Sequence, residues 1–361
     1  MNPEAKSSLE PKKGLSTVEK TGLAVLAISL FGLFVNPGFV GGVFDAMVLK
    51  AKSIVSDVYL VGTLGTAVIC SVMTGRILER LGLTDALLRV FMPLARIMRI
   101  NPAVVVPGVY NILGDINAAG RISGPVLKKA KATKDEQKIA VCTMMQSQQS
   151  FSTFMLGLVA LTNAGVWAFP VVIIGLFLPL IVVPWLLSKT LWRDTKATEF
   201  TEIPRMTPHT KPMDTVFGGA REGAELMFLL LVPAAAVIFA IIGALDYMGV
   251  WAGIQSAMTS FFSSVSIEPQ TGLLSVLASP TLAMNTLKDI AANLDPRLVV
   301  GSFILAASGL PLQVVFGQIP AVWSQASDLT GLEAMGAAVL GAVLRILTAI
   351  VMALVITPLL I

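Results

Sequence analysis

The residues able to do chemistry in this chain stand in four short polar stretches set inside apolar sequence. Gly114-Asp115-Ile116-Asn117-Ala118-Ala119-Gly120 interrupts an apolar run that begins at Pro102, and Gln146-Ser147-Gln148-Gln149-Ser150 falls in the middle of the next long apolar helix. Ala278-Ser279-Pro280-Thr281, followed by Asn285, breaks a second half-length run that starts at Thr271. Ser308-Gly309-Leu310-Pro311, with Gln313 just beyond, breaks the long segment after it. A carboxylate at membrane depth pairs with a cation or relays a proton, so Asp115 is the sharpest functional candidate, and it would serve equally as a cap on the second arm of its hairpin. The glutamines suit hydrogen bonds to a solute or to a neighbouring helix, and helical spacing separates Gln146 and Gln149 from Gln148 by face unless the helix unwinds. Pro311 either kinks its helix or frees an upstream carbonyl that can coordinate a cation. Arg345, near the middle of the last apolar segment, calls for a partner. Glu222, Glu225 and Asp115 are the available carboxylates; a structural ion pair is the expected role, with binding of a substrate anion as the alternative.

Composition sets the class. Of 361 residues, 55% are hydrophobic and 13% charged, where soluble domains carry about 25% charged residues. The chain therefore reads as an all-α polytopic membrane protein. Cys70 and Cys142 both fall in apolar stretches, which supports neither a disulfide framework nor a thiolate metal site, and the one histidine, His209, sits in a polar loop. Metal clusters and histidine-based catalysis are thereby set aside, no cofactor or resident metal is expected, and no nucleic-acid partner is indicated. Gly114-Asp115 faintly resembles intramembrane aspartyl proteases, but that chemistry needs two carboxylates sharing a proton, and Asp246 lies at a membrane boundary. The chain is not expected to be an enzyme.

The elements that must position these residues follow from apolar length and charge. Residues 1–20 read as a cytoplasmic tail, 21–53 as an extra N-terminal span and loop, and 54–187 as a first repeat. Residues 188–219 form a polar linker, and 220–361 a second repeat. Within the first repeat, Arg89, Arg96 and Arg99 recur at helical spacing among apolar residues and predict an amphipathic helix in the interface, capped by Thr84-Asp85. At 1.5 Å per residue, the dozen or so residues after Pro102 reach about 18 Å, near half of a hydrocarbon core of about 30 Å. That predicts a re-entrant hairpin with its polar tip near the midplane. The second repeat shows the same order of span, interfacial helix (250–265), hairpin, broken span and span, and Ile100-Asn101-Pro102 answers Ile267-Glu268-Pro269. With three crossings per repeat the second must be inverted. The Lys and Arg content of 76–138 and 188–221 places both on the cytoplasmic side, which predicts about seven crossings, the N-terminus inside and the C-terminus outside, in the cell (inner) membrane.

Inverted repeats with paired hairpins and interrupted helices are the architecture of secondary transporters. From about Ile54 to the C-terminus the order of elements, with Gly114-Asp115-Ile116-Asn117-Ala118-Ala119-Gly120 and Ala278-Ser279-Pro280-Thr281 at the hairpin tips, resembles the nucleoside-recognition, or Gate, domain membrane proteins, related in architecture to the concentrative nucleoside transporters. Carried over by position, the resemblance places Asp115 and Asn117 at the first tip and Gln148 and Gln149 in the first broken helix. It places Ser279, Thr281 and Asn285 at the second tip, and Ser308 and Gln313 in the second broken helix. It implies a site for a small polar solute there, coupling to Na⁺ or H⁺ with the cation near Asp115, and a homotrimer in the lipid bilayer. Asn285 is followed by Thr286, and no carboxylate stands at the second tip where the nucleoside transporters carry a glutamate. The alternative reading is a non-transporting scaffold or assembly factor like the spore-maturation Gate proteins.

Overall fold

A computed structural model describes residues 15–114, 116–196, 205 and 207–360. The described residues form helices and no strands. Helix α1 (Thr17–Val35) starts with a capping box, in which Ser16 and Glu19 satisfy each other's backbone N–H groups, and none of its residues is buried. Asn36 ends it and caps α2 (Pro37–Lys52), so the expected loop over 41–53 is helical instead. A wide turn, Ser53–Leu60, leads to α3 (Thr63–Arg80), with a bend of 51° at the join. A second rod of the same make follows the linker, α11 (Pro212–Leu226), a wide turn Met227–Leu231, and α12 (Val232–Tyr247).

These two long rods lie antiparallel, α3 against α11 and α2 against α12. Small residues let them approach closely. A Cβ on Gly223 would sit 2.8 Å from the Ile69 Cα, and one on Gly243 2.4 Å from the Ala46 carbonyl oxygen. Arg76 binds both oxygens of Glu222 near one end of the pair, and Lys50 meets Asp246 at 3.6 Å near the other.

The remaining helices, apart from α1, which touches α2, form a second body. Peripheral α4 (Leu83–Ile97) buries Leu88, Phe91, Met92 and Ala95 on one face and exposes Ile97. It starts from Gly82 rather than from the expected Thr84-Asp85 cap, because the Asp85 carboxylate accepts instead from the Thr207 backbone and hydroxyl. The first hairpin is a tight turn, Pro102–Val105, then α5 (Val106–Leu113) and α6 (Ile116–Lys129). Asn101 caps its start by accepting from the Ala103 N–H.

The first interrupted span is α7 (Lys134–Gln146) and α8 (Phe151–Asn163), broken at the predicted place. Then come α9 (Ala168–Val172) and α10 (Pro179–Lys189), joined by the wide turn Ile173–Phe177. In the second half, α13 (Trp251–Ser264) is peripheral and mostly exposed, and α14 (Pro269–Leu277) with α15 (Pro280–Ile290) makes the second hairpin. Helices α16 (Pro296–Ala306) and α17 (Ile319–Ala326, preceded by the wide turn Val314–Gln318) make the second interrupted span, and α18 (Gly331–Val351) with α19 (Thr357–Leu360) closes the chain.

Four helical stretches are long and apolar enough to cross a membrane, 17–35, 168–189, 212–247 and 331–360, and the bent α2–α3 rod makes a fifth. The halves of the interrupted spans and hairpins are individually too short, as a re-entrant and broken design requires. The halves interlock. Helix α18 packs on α7, α15 on α8, and α17 on α6, where a Cβ on Gly124 would lie 2.5 Å from the Ala326 carbonyl oxygen. Gln137 and Asp328 exchange two 2.8 Å hydrogen bonds that fix the start of α7 to the α17–α18 corner.

Candidate functional site

Both hairpin tips and both helix breaks meet at one cavity of about 680 Å³, opening included. Each contributes the start of a helix. Ile116 and Asn117 open α6, and Ser150 caps α8 by accepting from the Thr153 N–H. Ser279 caps α15 by accepting from the Leu282 N–H, and Gln313 and Val314 stand just after Pro311, where the helical run into α17 begins. Half-helix N-termini carry unpaired N–H groups and the positive end of the macrodipole, so a solute oxygen is favoured here before any side chain is counted.

The breaks are stitched to one another. The Gln149 N–H donates to the Ala307 carbonyl at 2.7 Å, joining the two interrupted spans. The Ser150 N–H donates to the Asn111 carbonyl of the first hairpin at 3.2 Å, and Ser150 itself is held at a φ of 63°, a conformation costly for a residue with a Cβ. Thr153 and Thr281 share a hydroxyl hydrogen bond of 3.1 Å between α8 and the second tip. Asn117 donates from Nδ2 to Gln318 Oε1 at 3.1 Å, tying the first tip to the second broken span.

The opposite wall belongs to the paired rods. Leu226, Leu230, Leu231, Ala234 and Ala235 give it an apolar surface, and Tyr59 is its one polar side chain among the described lining residues. Tyr59, Leu230 and Leu231 come from the wide turns, where an extra residue redirects side chains, a feature that recurs at functional sites, and Leu226, Ala234 and Ala235 flank the second turn. One polar atom at the cavity is buried without a hydrogen-bond partner, Gln149 Oε1, and the buried Tyr59 hydroxyl faces the Ser279 side chain. No charged side chain lines the cavity among the described residues. Ser150 and Leu226 also border a second space of about 670 Å³ that reaches Arg76, Glu222 and Glu225.

Of the residues expected at the site, Asn117, Gln149, Ser279, Thr281 and Gln313 line the cavity. Asp115 lies outside the described residues. Gln148, Ser308 and Asn285 do not line it, and each has a physical reason. The chain unwinds after Gln146, so the three glutamines diverge. Gln146 donates to the Gly341 carbonyl at 2.8 Å, and Gln148 turns back to the carbonyls of Gln149 and Ser150, both at 3.2 Å. Ser308 is buried with its hydroxyl unpartnered, and Asn285, a turn beyond the tip, accepts from Lys288 at 3.2 Å.

Arg345 is not paired with Glu222 or Glu225. Those carboxylates bind Arg76 and Arg221, and Arg345 donates to main-chain carbonyls. The residues missed were Tyr59, Gln318 and Asn111. Asn111 is fully buried, donates from Nδ2 to Ser147 Oγ at 3.0 Å, and leaves its Oδ1 unpartnered beside the first break. A polar residue two or three positions ahead of a hairpin's terminal glycine was the available signal.

No protein-family profile and no curated protein matches the chain. Among solved structures it is similar to CNTnw, a concentrative nucleoside transporter, in an inward-facing substrate-bound state, with a TM-score of 0.61 at 15% identity over 92% of this chain and 84% of that one. A doubly substituted CNTnw in an outward-facing state gives a TM-score of 0.59 at 16% identity over the same shares. The chain thus has the fold of a polytopic membrane transporter.

Proposed function

We propose that the protein is a secondary transporter of a small polar solute, neutral in charge, coupled to Na⁺ or H⁺. The observation that carries this reading is the meeting of four helix N-termini and the orphaned Gln149 oxygen in a cavity on the seam between the paired rods and the hairpin body. Buried polar groups without partners are costly to keep, and a ligand that pairs with them offsets that cost. One polar wall and one apolar wall suit a solute with a hydrogen-bonding edge and an apolar face, as nucleosides and nucleobases have. A site on a seam between two bodies is what alternating access requires. The coupling cation is assigned to the first hairpin tip, near Asp115, whose carboxylate suits a hard monovalent ion or a proton. The same order of elements in both halves, with basic residues concentrated in 76–138 and 188–221, supports inverted repeats, seven crossings, a cytoplasmic start and an external end. A trimer in the inner membrane is the assembly that goes with this reading.

The test is thermal unfolding of purified protein against nucleosides, nucleobases, amino acids, dipeptides and small carboxylates, with and without Na⁺ and at several pH values. A solute at a hundredfold its Kd adds about 2.7 kcal/mol to stability. Gln149→Leu, which removes the orphaned oxygen, is expected to weaken that solute about tenfold while leaving unliganded stability unchanged. Silence across the panel from folded protein overturns the transporter reading in favour of a scaffold.

A further inference from the structure

Arg345 lies on α18 with no exposure at all, an expensive place for a guanidinium. Its partners among the described residues are main chain, and its Nε and Nη2 are buried without a partner there. Its Nη1 donates to the carbonyl of Gln146 at 2.9 Å and to that of Gly175 at 3.0 Å. Gln146 is the last residue of α7, so its carbonyl belongs to a half-helix end where unpaired carbonyls and the macrodipole concentrate negative partial charge. The Gly175 carbonyl lacks its ordinary helical donor for a reason visible in the sequence, because the residue four positions on is Pro179, which has no N–H. Arg345 thus joins the end of α7 to the wide turn between α9 and α10, while the Gln146 side chain, bonded to the Gly341 carbonyl, ties the same end to α18.

Carbonyls at the ends of broken membrane helices are the groups that coordinate a bound monovalent cation in interrupted spans. Here a covalently attached cation already occupies that role. We propose that Arg345 is a resident cation for the first break, a positioning residue whose fixed guanidinium neutralises the end of α7 and holds it against α9–α10 and α18 with no dissociable ion. The proposal concerns how the break is held and stands whether or not the cavity carries a solute.

The test compares the native protein with Arg345→Gln, which keeps an N–H donor but loses the charge, and Arg345→Lys, which keeps the charge. Thermal unfolding is followed in choline chloride and on titration with Na⁺, K⁺ and methylguanidinium. Arg345→Gln is expected to unfold several degrees lower and to recover part of that loss with methylguanidinium or a monovalent metal ion. The native protein gains nothing from methylguanidinium, and Arg345→Lys stays close to native. A packing or hydrogen-bonding role would not create a new response to cations. The proposal is overturned if Arg345→Gln is as stable as native, or if Gln and Lys are equally destabilised and no cation restores either. Should Arg345→Gln not accumulate as folded protein, Arg345→Lys decides. Near-native stability supports the resident cation, and equal failure overturns it.

Discussion

The two helix breaks do similar topological work and are held in opposite ways. The first, between α7 and α8, is sunk in the body: Gln146, Ser147 and Gln148 are at most 2% exposed. Beside local bonds of Ser147, Gln148 and Ser150, it is tied to distant parts of the chain, with Arg345 and Gly341 at Gln146, Asn111 at Ser147 and Ser150, and Ala307 at Gln149. The second, between α16 and α17, is shaped mostly by its own residues. Leu310 donates to the Ser308 carbonyl at 2.9 Å and Val314 to the Pro311 carbonyl at 2.8 Å, and the chain then emerges at Leu312, 47% exposed. The first break is a joint that the surrounding helices impose, and the second is a local turn that opens on the cavity. Disturbing the first should cost folding, whereas disturbing the second should cost binding.

The largest effect is expected behind the first break. A Cβ on Gly341 would lie 2.7 Å from Met145 Cβ and 3.3 Å from the Cys142 Cα, so Gly341→Leu drives a wedge between α18 and α7. Overpacking of this kind costs about 3 kcal/mol, read as a lower midpoint of unfolding, and solute affinity of the folded fraction should hold. An unchanged midpoint would sink the idea that the surrounding helices hold this joint. Gly309→Ala perturbs the second break more mildly. Its Cβ would meet Ile116 Cδ1 at 2.5 Å and Gln149 Oε1 at 3.2 Å, both at the free ends of side chains that line the cavity. Those ends can swing aside, so stability should change by less than about 1 kcal/mol. The solute meets a rearranged wall, and about a tenfold loss of affinity, near 1.4 kcal/mol, is expected in a binding titration.

The positions of the hairpin arm and of the breaks were legible in the sequence. Asn101-Pro102 before an apolar dozen and Gly114 after it bound the first hairpin arm to the residue, and the glutamine cluster located the first break. Side-chain direction at the breaks was not legible, because helical spacing fails where the chain leaves the helix. Gln146 and Gln149 share a face by period and yet reach α18 and the cavity respectively. Tyr59 was missed because it reaches the site from the paired rods, through a wide turn that no residue pattern announces. Arg345 invited a search for a carboxylate, since charges are visible in a sequence. Main-chain carbonyls left over at a helix end are not.

A matched pair of small substitutions separates the breaks most cleanly. Ser147 Oγ accepts from Asn111 Nδ2 at 3.0 Å and donates to the Met144 carbonyl at 2.8 Å, so Ser147→Ala strands a buried amide donor. The cost of a stranded buried donor is about 1 to 3 kcal/mol. Ser308 is as deeply buried, at 1% exposed, but its hydroxyl has no partner to lose. Ser308→Ala removes a polar atom that was already unpaired, and the expected change in stability is within about 0.5 kcal/mol, with affinity unaltered because Ser308 does not line the cavity. Unfolding midpoints and solute titrations on both variants give the answer. If Ser308→Ala instead weakened binding as much as Gly309→Ala does, Ser308 would have to reach the solute in a state where the second break rearranges, and that break would be a moving part rather than a fixed turn.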